Sequence, residues 1–209
     1  MDRYATLFRD LTRTCPSMEV RVDEPMSRHT TFRIGGPVRV MALPKTEEEA
    51  VKAVQVALRH EVQPFYMGNG SNLLVSDQGY VGFILKLVDG LGTLEADGTT
   101  LNAGSGVLLS RLSSFAMDKG LTGLEFAHGI PGSVGGAVTM NAGAYDSDMS
   151  TLVREVRCLP AEGELQALPA RDLDFSYRHS AFSDGGRLIL GATLELRPGS
   201  EGDIRALME

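Results

Sequence analysis

The 209-residue sequence predicts an α+β fold. Three observations carry that expectation. Strand-like runs outnumber helical ones, tight turns rich in Gly, Asp and Pro join many of them, and the two kinds of element do not alternate as regular βαβ units do. Hydrophobic residues make up 43% of the chain, enough for a real core, and the length fits one large domain or two small lobes.

Along the chain, residues 4–13 (YATLFRDLTR) read as a short helix. Residues 15–30, broken by Pro16 and Pro25, are expected to be irregular. VRVMALP (38–44) reads as a strand stopped by Pro44. A helix follows: Thr46 and Glu49 have capping-box spacing, and Ala50, Val51, Val54, Ala57 and Leu58 fall on one face. QPFYM is a strand, MGNGSN a turn, NLLVSD a further strand and VGFILKL (81–87) another. Asp97-Gly98 marks a hairpin. VLLSRLSSFAMDKG (107–120) is a second amphipathic helix, with Leu108, Leu112, Phe115 and Ala116 on one face and Gly120 ending it. VREVRCLP and ELQAL suggest a hairpin around Glu162-Gly163, and RLILGATLELRP is a long strand.

Composition excludes several function classes. Net charge is −7 and no dense Lys/Arg stripe is present, so nucleic acid is not the expected partner. No apolar run approaches a membrane span and the N-terminus lacks an apolar signal core, so no membrane partner is expected and a cytoplasmic protein is the default. Cys15 and Cys158 lack CxxC spacing and read as inert thiols in a reducing compartment. No metal-ligand spacing links His29, His60 and the cysteines, so no metal is expected. Oligomeric state is not legible.

Two glycine-rich segments invite a ligand. In MGNGSNLLV, Gly68-Asn69-Gly70-Ser71-Asn72-Leu73 begins like a dinucleotide fingerprint but has Leu73 at the third glycine position and a strand-like continuation, so it is neither that motif nor a P-loop. Glycines here allow positive φ and a concave nest of N–H groups for an anion; a plain connecting turn is the alternative. The segment GIPGSVGGAVTMNAGAY (129–145) holds five glycines and no charge. Ser133 suits an N-cap, and a helix over Val134–Asn141 is expected to point bare N–H groups outward, where a diphosphate fits without any lysine. Close packing of the helix against a neighbour is the alternative reading of Gly135 and Gly136.

HTTFRIGG (29–36), GNGSNLLVSD (68–77), GLEFAHGIPGSVGGAVTMNAGAY (123–145) and FSYRHSAF (175–182) occur in that order, and together they closely resemble the UDP-N-acetylenolpyruvoylglucosamine reductase (MurB) family. The resemblance runs from about residue 25 to 198. It implies a two-lobed FAD-binding module of the vanillyl-alcohol-oxidase (PCMH) type, with lobes at 25–88 and 89–198, an N-terminal segment at 1–24, and residues 199–209 beginning a linker. FAD would lie between the lobes. Carried over, Gly68, Asn69, Gly70, Ser71, Asn72 and Leu73 contact FAD, as do Gly129, Ile130, Pro131, Gly132, Ser133, Gly135, Gly136 and Ala137. Gly104, in the AGSG turn, is a further flavin contact, and Asn141, Gly143 and Tyr145 complete the pocket wall.

The implied reaction uses NADPH to reduce the flavin and the flavin to reduce the enolpyruvyl group of a UDP-sugar, for peptidoglycan synthesis. The family's Tyr-Arg-x-Ser motif matches Tyr177-Arg178-His179-Ser180. Arg178 is therefore the expected catalytic residue, since a guanidinium grips a carboxylate through two N–H groups; with Tyr177 it is expected to bind substrate. A surface ion pair is its bland alternative, and Arg33 is a further candidate for flavin or phosphate. His128 and His179 are expected to have local roles.

The family's proton-donor serine lies in a Gly-Ser-x-Phe motif, whereas Gly199-Ser200 is here followed by Glu201-Gly202. The sequence is therefore expected to hold the FAD module without its substrate module, and to show no turnover alone. Two competitors remain. An alcohol or sugar oxidase on the same module usually carries His or Cys for covalent flavin near the first glycine loop, and GNGSN has neither. A non-catalytic flavin- or nucleotide-binding module is the other.

Overall fold

The computed structural model describes residues 2–88, 90–162 and 164–209, which divide into two compact units, one ending at Leu91 and one beginning at Gly92.

In the first unit, α1 (Arg3–Thr14) starts on an Asp2 cap and buries Leu7 and Leu11. β1 (Glu19–Pro25) then pairs antiparallel with β2 (Pro37–Leu43). Here the sequence expectation fails, because residues 19–25 were expected to be irregular. The strand is polar because it is the sheet edge, and its charges are used: Arg21 contacts Glu19 and Glu24 at 2.7 and 2.9 Å, and Arg39 on β2 reaches Asp23 at 2.9 Å. Charged edges of this kind resist pairing with a second sheet.

α2 (Glu47–Arg59) is capped by Thr46, whose Oγ accepts from the Glu49 N–H at 3.1 Å. The capping box is only half made, since the Glu49 carboxylate accepts from the Lys45 N–H at 2.7 Å and from the Ser17 hydroxyl. Ala50, Ala53, Val54, Val56 and Ala57 are buried. β3 (Pro64–Met67) and β4 (Tyr80–Lys86) complete a sheet of order β1-β2-β4-β3, in which β4 is parallel to both neighbours.

The expected strand over NLLVSD does not form, and residues 73–76 have no regular structure. The reason is topological. Parallel β3 and β4 need a connection that runs back along the sheet, and residues 68–79 are that connection. Leu73 and Val75 anchor it on a core of Met26, Val38, Met41, Met67 and Ile84.

The second unit opens with the antiparallel hairpin β5 (Leu94–Asp97) and β6 (Thr100–Gly104). α3 (Leu109–Asp118) and the short β7 (Leu121–Thr122) follow. α4 (Val134–Thr139) is capped by Ser133 and is shorter than the expected helix, stopping before Asn141. β8 (Gly143–Ala144) and β9 (Ser147–Asp148) form a small hairpin. β10 (Val153–Pro160), β11 (Gln166–Pro169) and β12 (Arg187–Glu195) build an antiparallel sheet of order β11-β10-β12-β6-β5. β10 and β11 pair as expected, while Gly163 of their turn lies outside the described residues. β13 (Arg197–Pro198) pairs with β7, and α5 (Glu201–Met208) is capped by Ser200. Leu101, Leu109, Leu112, Val138, Val156, Phe182 and Leu194 belong to one buried cluster. Among the described residues, no helix is long and apolar enough to cross a membrane.

Candidate functional site

In the first unit the loop Gly68–Leu73 leaves β3 and turns sharply at Gly70, whose φ is +68°. A Cβ there would lie 2.1 Å from the His29 carbonyl oxygen, so only glycine fits. The Gly70 carbonyl accepts from the Thr31 N–H at 3.2 Å. This ties the loop to the HTTF segment. Among the described residues, no protein acceptor takes the N–H groups of Gly70, Ser71 and Asn72. Leu73, where a dinucleotide fingerprint has glycine, is instead a core anchor.

Beside the loop is a pocket of about 180 Å³ lined by Arg28, His29, Thr30, Thr31, Asn69 and Lys86. His29 is buried, and its Nε2 lies 2.9 Å from Glu24 while its Nδ1 lies 3.2 Å from Lys86 Nζ. Burial alone would raise the Glu24 carboxyl, but hydrogen bonds from His29 and Arg21 outweigh it and hold the pKa below its ordinary value. Sequence reasoning missed this cluster. Lys86 is 57 positions from His29 and meets it only because β4 lies at the centre of the sheet. Arg33, exposed and with φ +55°, does not line the pocket.

In the second unit the expected outward N–H groups at the start of α4 are not available. The Val134 N–H donates to the Val107 carbonyl at 2.8 Å, the Gly135 N–H to the Ser105 carbonyl at 2.9 Å, and the Gly136 N–H faces Ser133 Oγ at 3.5 Å. The helix start packs onto the AGSG turn, so no diphosphate sits on bare amides there. A Cβ at Gly135 would lie 3.0 Å from Ser105 Cβ, which makes close packing the reason for that glycine. Replacing Gly135 with Leu is therefore expected to cost about 1–3 kcal/mol by overpacking, read as a lower melting temperature with or without flavin.

Other parts of this segment remain open. A Cβ at Gly129 would meet nothing within 4 Å, and at Gly132 and Gly136 only ordinary contacts. Ile130 and Pro131 lie between the two, half-buried and exposed, and Ala137 is buried. Gly104, buried at the end of β6, donates its N–H to the Thr93 carbonyl at 2.8 Å, so its amide is committed. Among the described residues, Ser105 Oγ and His128 Nδ1 are buried without a hydrogen-bond partner, as is Tyr66 OH in the first unit. Burial holds the Tyr66 hydroxyl at a pKa of about 12. Unpaired buried polar atoms are costly and call for an external partner. A flavin nucleotide carries donors and acceptors that suit such atoms, in each unit taken by itself.

Asn141, 4% exposed, does not offer its amide to a ligand. Its Nδ2 donates to Asp148 Oδ2 and to the Ser176 carbonyl, each at 3.1 Å, and its Oδ1 accepts from the Ser150 N–H at 2.9 Å. It thus fastens the β8–β9 hairpin to the turn Ser176–His179, which closes on itself through the Ser176 and His179 backbones. Arg178 sits on that turn with φ +56°, donates from Nη2 to the Gly143 carbonyl at 3.3 Å, and lies 5.6 Å from the Tyr177 ring centre. Tyr145 and Tyr177 are almost fully exposed. Buried Ser180 locks the far side of the turn, donating to the Thr139 carbonyl at 2.8 Å. His179 faces Asp174 at 3.5 Å on the surface. Asn141→Ala is expected to cost about 1–3 kcal/mol, because it removes three hydrogen bonds made by one buried amide, and thermal melting of the variant measures this.

Among the described residues, no three His, Cys, Asp or Glu converge on a metal position.

Residues 38–168 match the family of FAD binding domains. The UDP-N-acetylenolpyruvoylglucosamine reductase of Clostridioides difficile (strain 630) is 38% identical over 208 residues, covering 100% of this chain and 67% of the relative. This chain belongs to the UDP-N-acetylenolpyruvoylglucosamine reductase family. The crystal structure of the reductase (MurB) from Thermus caldophilus superposes with a TM-score of 0.79 at 32% identity, over 91% of this chain and 67% of that one. The chain thus spans about two thirds of the length of these reductases. Cholesterol oxidase from Brevibacterium sterolicum, at 16% identity and a TM-score of 0.62 over 88% of this chain and 38% of its own, shares the fold alone. The architecture is the α+β FAD-binding module of the vanillyl-alcohol-oxidase type.

Proposed function

We propose that this member of the reductase family binds FAD and serves the NADPH-dependent reduction of UDP-N-acetylglucosamine enolpyruvate to UDP-N-acetylmuramate, a cytoplasmic step of peptidoglycan precursor synthesis. The observation that carries the reading is the Gly68–Leu73 loop, where among the described residues no protein acceptor takes the N–H groups of Gly70, Ser71 and Asn72, beside a cationic pocket. When bound, FAD supplies the two-electron transfer between NADPH and the enolpyruvyl group.

The chain's own residues have distinct tasks in this reading. Residues 25–88 form the first cofactor lobe, in which Gly68 to Leu73 hold the diphosphate through backbone N–H groups, without a side chain in the way. Residues 89–198 form the second lobe. There the Gly104–Ser105 turn and Gly129 to Ala137 line the cofactor, and the backbone from Asn141 to Tyr145 closes the wall. Tyr177 and Arg178 bind the UDP-sugar. The Arg178 guanidinium takes the substrate carboxylate and stabilises negative charge that develops beside it. Its position is set by Gly143 and, through the turn, by Asn141.

The test is spectroscopic. In the FAD-loaded protein, NADPH should bleach the flavin, and the UDP-enolpyruvyl sugar should shift its spectrum without sustained turnover. Bleaching by an alcohol or a simple sugar, and not by NADPH, would instead assign the protein to the oxidases that share the fold.

A further inference from the structure

We propose that Glu24, His29 and Lys86 form a hydrogen-bonded chain that aims the Lys86 ammonium at the diphosphate of the nucleotide held by the Gly68–Leu73 loop. This rests on the reading that the protein binds FAD, and it adds a cationic contact that a backbone-only cradle lacks.

The chain has one consistent proton arrangement. A lysine ammonium has donors and no acceptor, so its hydrogen bond to His29 Nδ1, at 3.2 Å, makes that nitrogen the acceptor. The ring proton then sits on Nε2 and donates to Glu24 Oε1 at 2.9 Å. Glu24 is held in turn by Arg21 at 2.9 Å, with Arg28 at 3.9 Å. His29 is thereby a fixed strut, 8% exposed, between the edge strand β1 and the central strand β4. Its carbonyl is also the atom that a Cβ at Gly70 would strike. One residue therefore sets both the turn of the loop and the position of Lys86.

The pocket has the chemistry of an anion site. Arg28 and Lys86 supply positive charge, Thr31 a hydroxyl and Asn69 an amide, and among the described residues no carboxylate lines it. Asn69 belongs to the glycine loop itself, so a phosphate on the loop amides lies beside this wall. A lysine ammonium in a partly enclosed pocket is a strong partner for phosphate oxygens. The acidic chain, at net charge −7, needs such a local cation because its overall field repels anions.

The experiment is FAD titration of wild type, Lys86→Met, Lys86→Arg and Glu24→Gln by flavin fluorescence, with ³¹P spectra of the bound FAD and melting curves of the ligand-free proteins. Lys86→Met should weaken FAD by about tenfold or more and move the bound diphosphate resonances, while Lys86→Arg stays within about threefold of wild type. Glu24→Gln should weaken FAD less than Lys86→Met, since it frees the strut but keeps the cation. Wild-type affinity and unmoved phosphorus resonances in Lys86→Met overturn the inference and leave FAD binding intact. Equal losses in Lys86→Met and Lys86→Arg, together with lower melting temperatures, assign Lys86 to structure alone and also overturn it. A wild type that takes no FAD removes the underlying reading and the inference with it.

Discussion

Gly70→Val is expected to abolish flavin binding, weakening FAD by about 100-fold or more. Two effects act at once. The residue has φ +68°, a conformation that costs a side-chain-bearing residue roughly 1–2 kcal/mol. The new Cβ also lands 2.1 Å from the His29 carbonyl oxygen, a backbone atom that cannot swing aside. The loop must move, and its amides leave the positions they share with the pocket. A stability loss on the order of 3 kcal/mol or more is expected, which for a unit of this size lowers the melting temperature by roughly 10–20 °C. Gly98→Ala is the control for strain alone. Gly98 has φ +58° in the β5–β6 turn, and a Cβ there meets nothing within 4 Å. That variant should melt slightly lower and bind FAD as wild type does. Unchanged FAD affinity in Gly70→Val would show that this loop does not hold the cofactor.

Arg178→Ala separates the reaction from the cofactor. Arg178 is exposed and its contact with the Gly143 carbonyl lies outside the core, so its loss should change stability little. FAD affinity should stay within about twofold. The UDP-enolpyruvyl sugar should perturb the flavin spectrum only at about tenfold or higher concentration than in wild type, because the charge-assisted grip on its carboxylate is lost. Arg178→Lys should recover only part, because an ammonium lacks the guanidinium's paired N–H groups. Equal titrations of the UDP-enolpyruvyl sugar in wild type and Arg178→Ala would remove Arg178 from the substrate site.

The sequence was informative where a residue's neighbours lie close along the chain. The face of α2 and its Thr46 cap, the β5–β6 hairpin at Asp97-Gly98, and the Ser133 cap depend on spacings of a few residues, and each stands in the structure. It misled where a distant segment decides. Residues 19–25 look irregular because their charges pair across to Arg39 and among themselves on a sheet edge. NLLVSD alternates like a strand but must carry the chain back between two parallel strands. The amides of Val134 and Gly135 look free until Ser105 and Val107, from before α3, take them. For the same reason Gly135 is a packing glycine and Gly70 a turn glycine, a distinction that composition does not reveal.

The candidate site follows this pattern. Its glycine loop and its Tyr-Arg turn are visible as motifs, so both segments could be singled out as candidates from the sequence. Lys86 could not, because only the placement of β4 beside the HTTF segment brings it to His29. Asn141 was expected to face a ligand, yet three bonds inside the protein hold its amide.

The measurement that bears most directly on the central claim is a FAD titration of the purified protein, followed by its visible spectrum after removal of unbound flavin. One FAD per chain is expected, with flavin absorbance retained and fluorescence altered. A colourless protein that leaves added FAD free in solution, while its melting curve shows it folded, would contradict it.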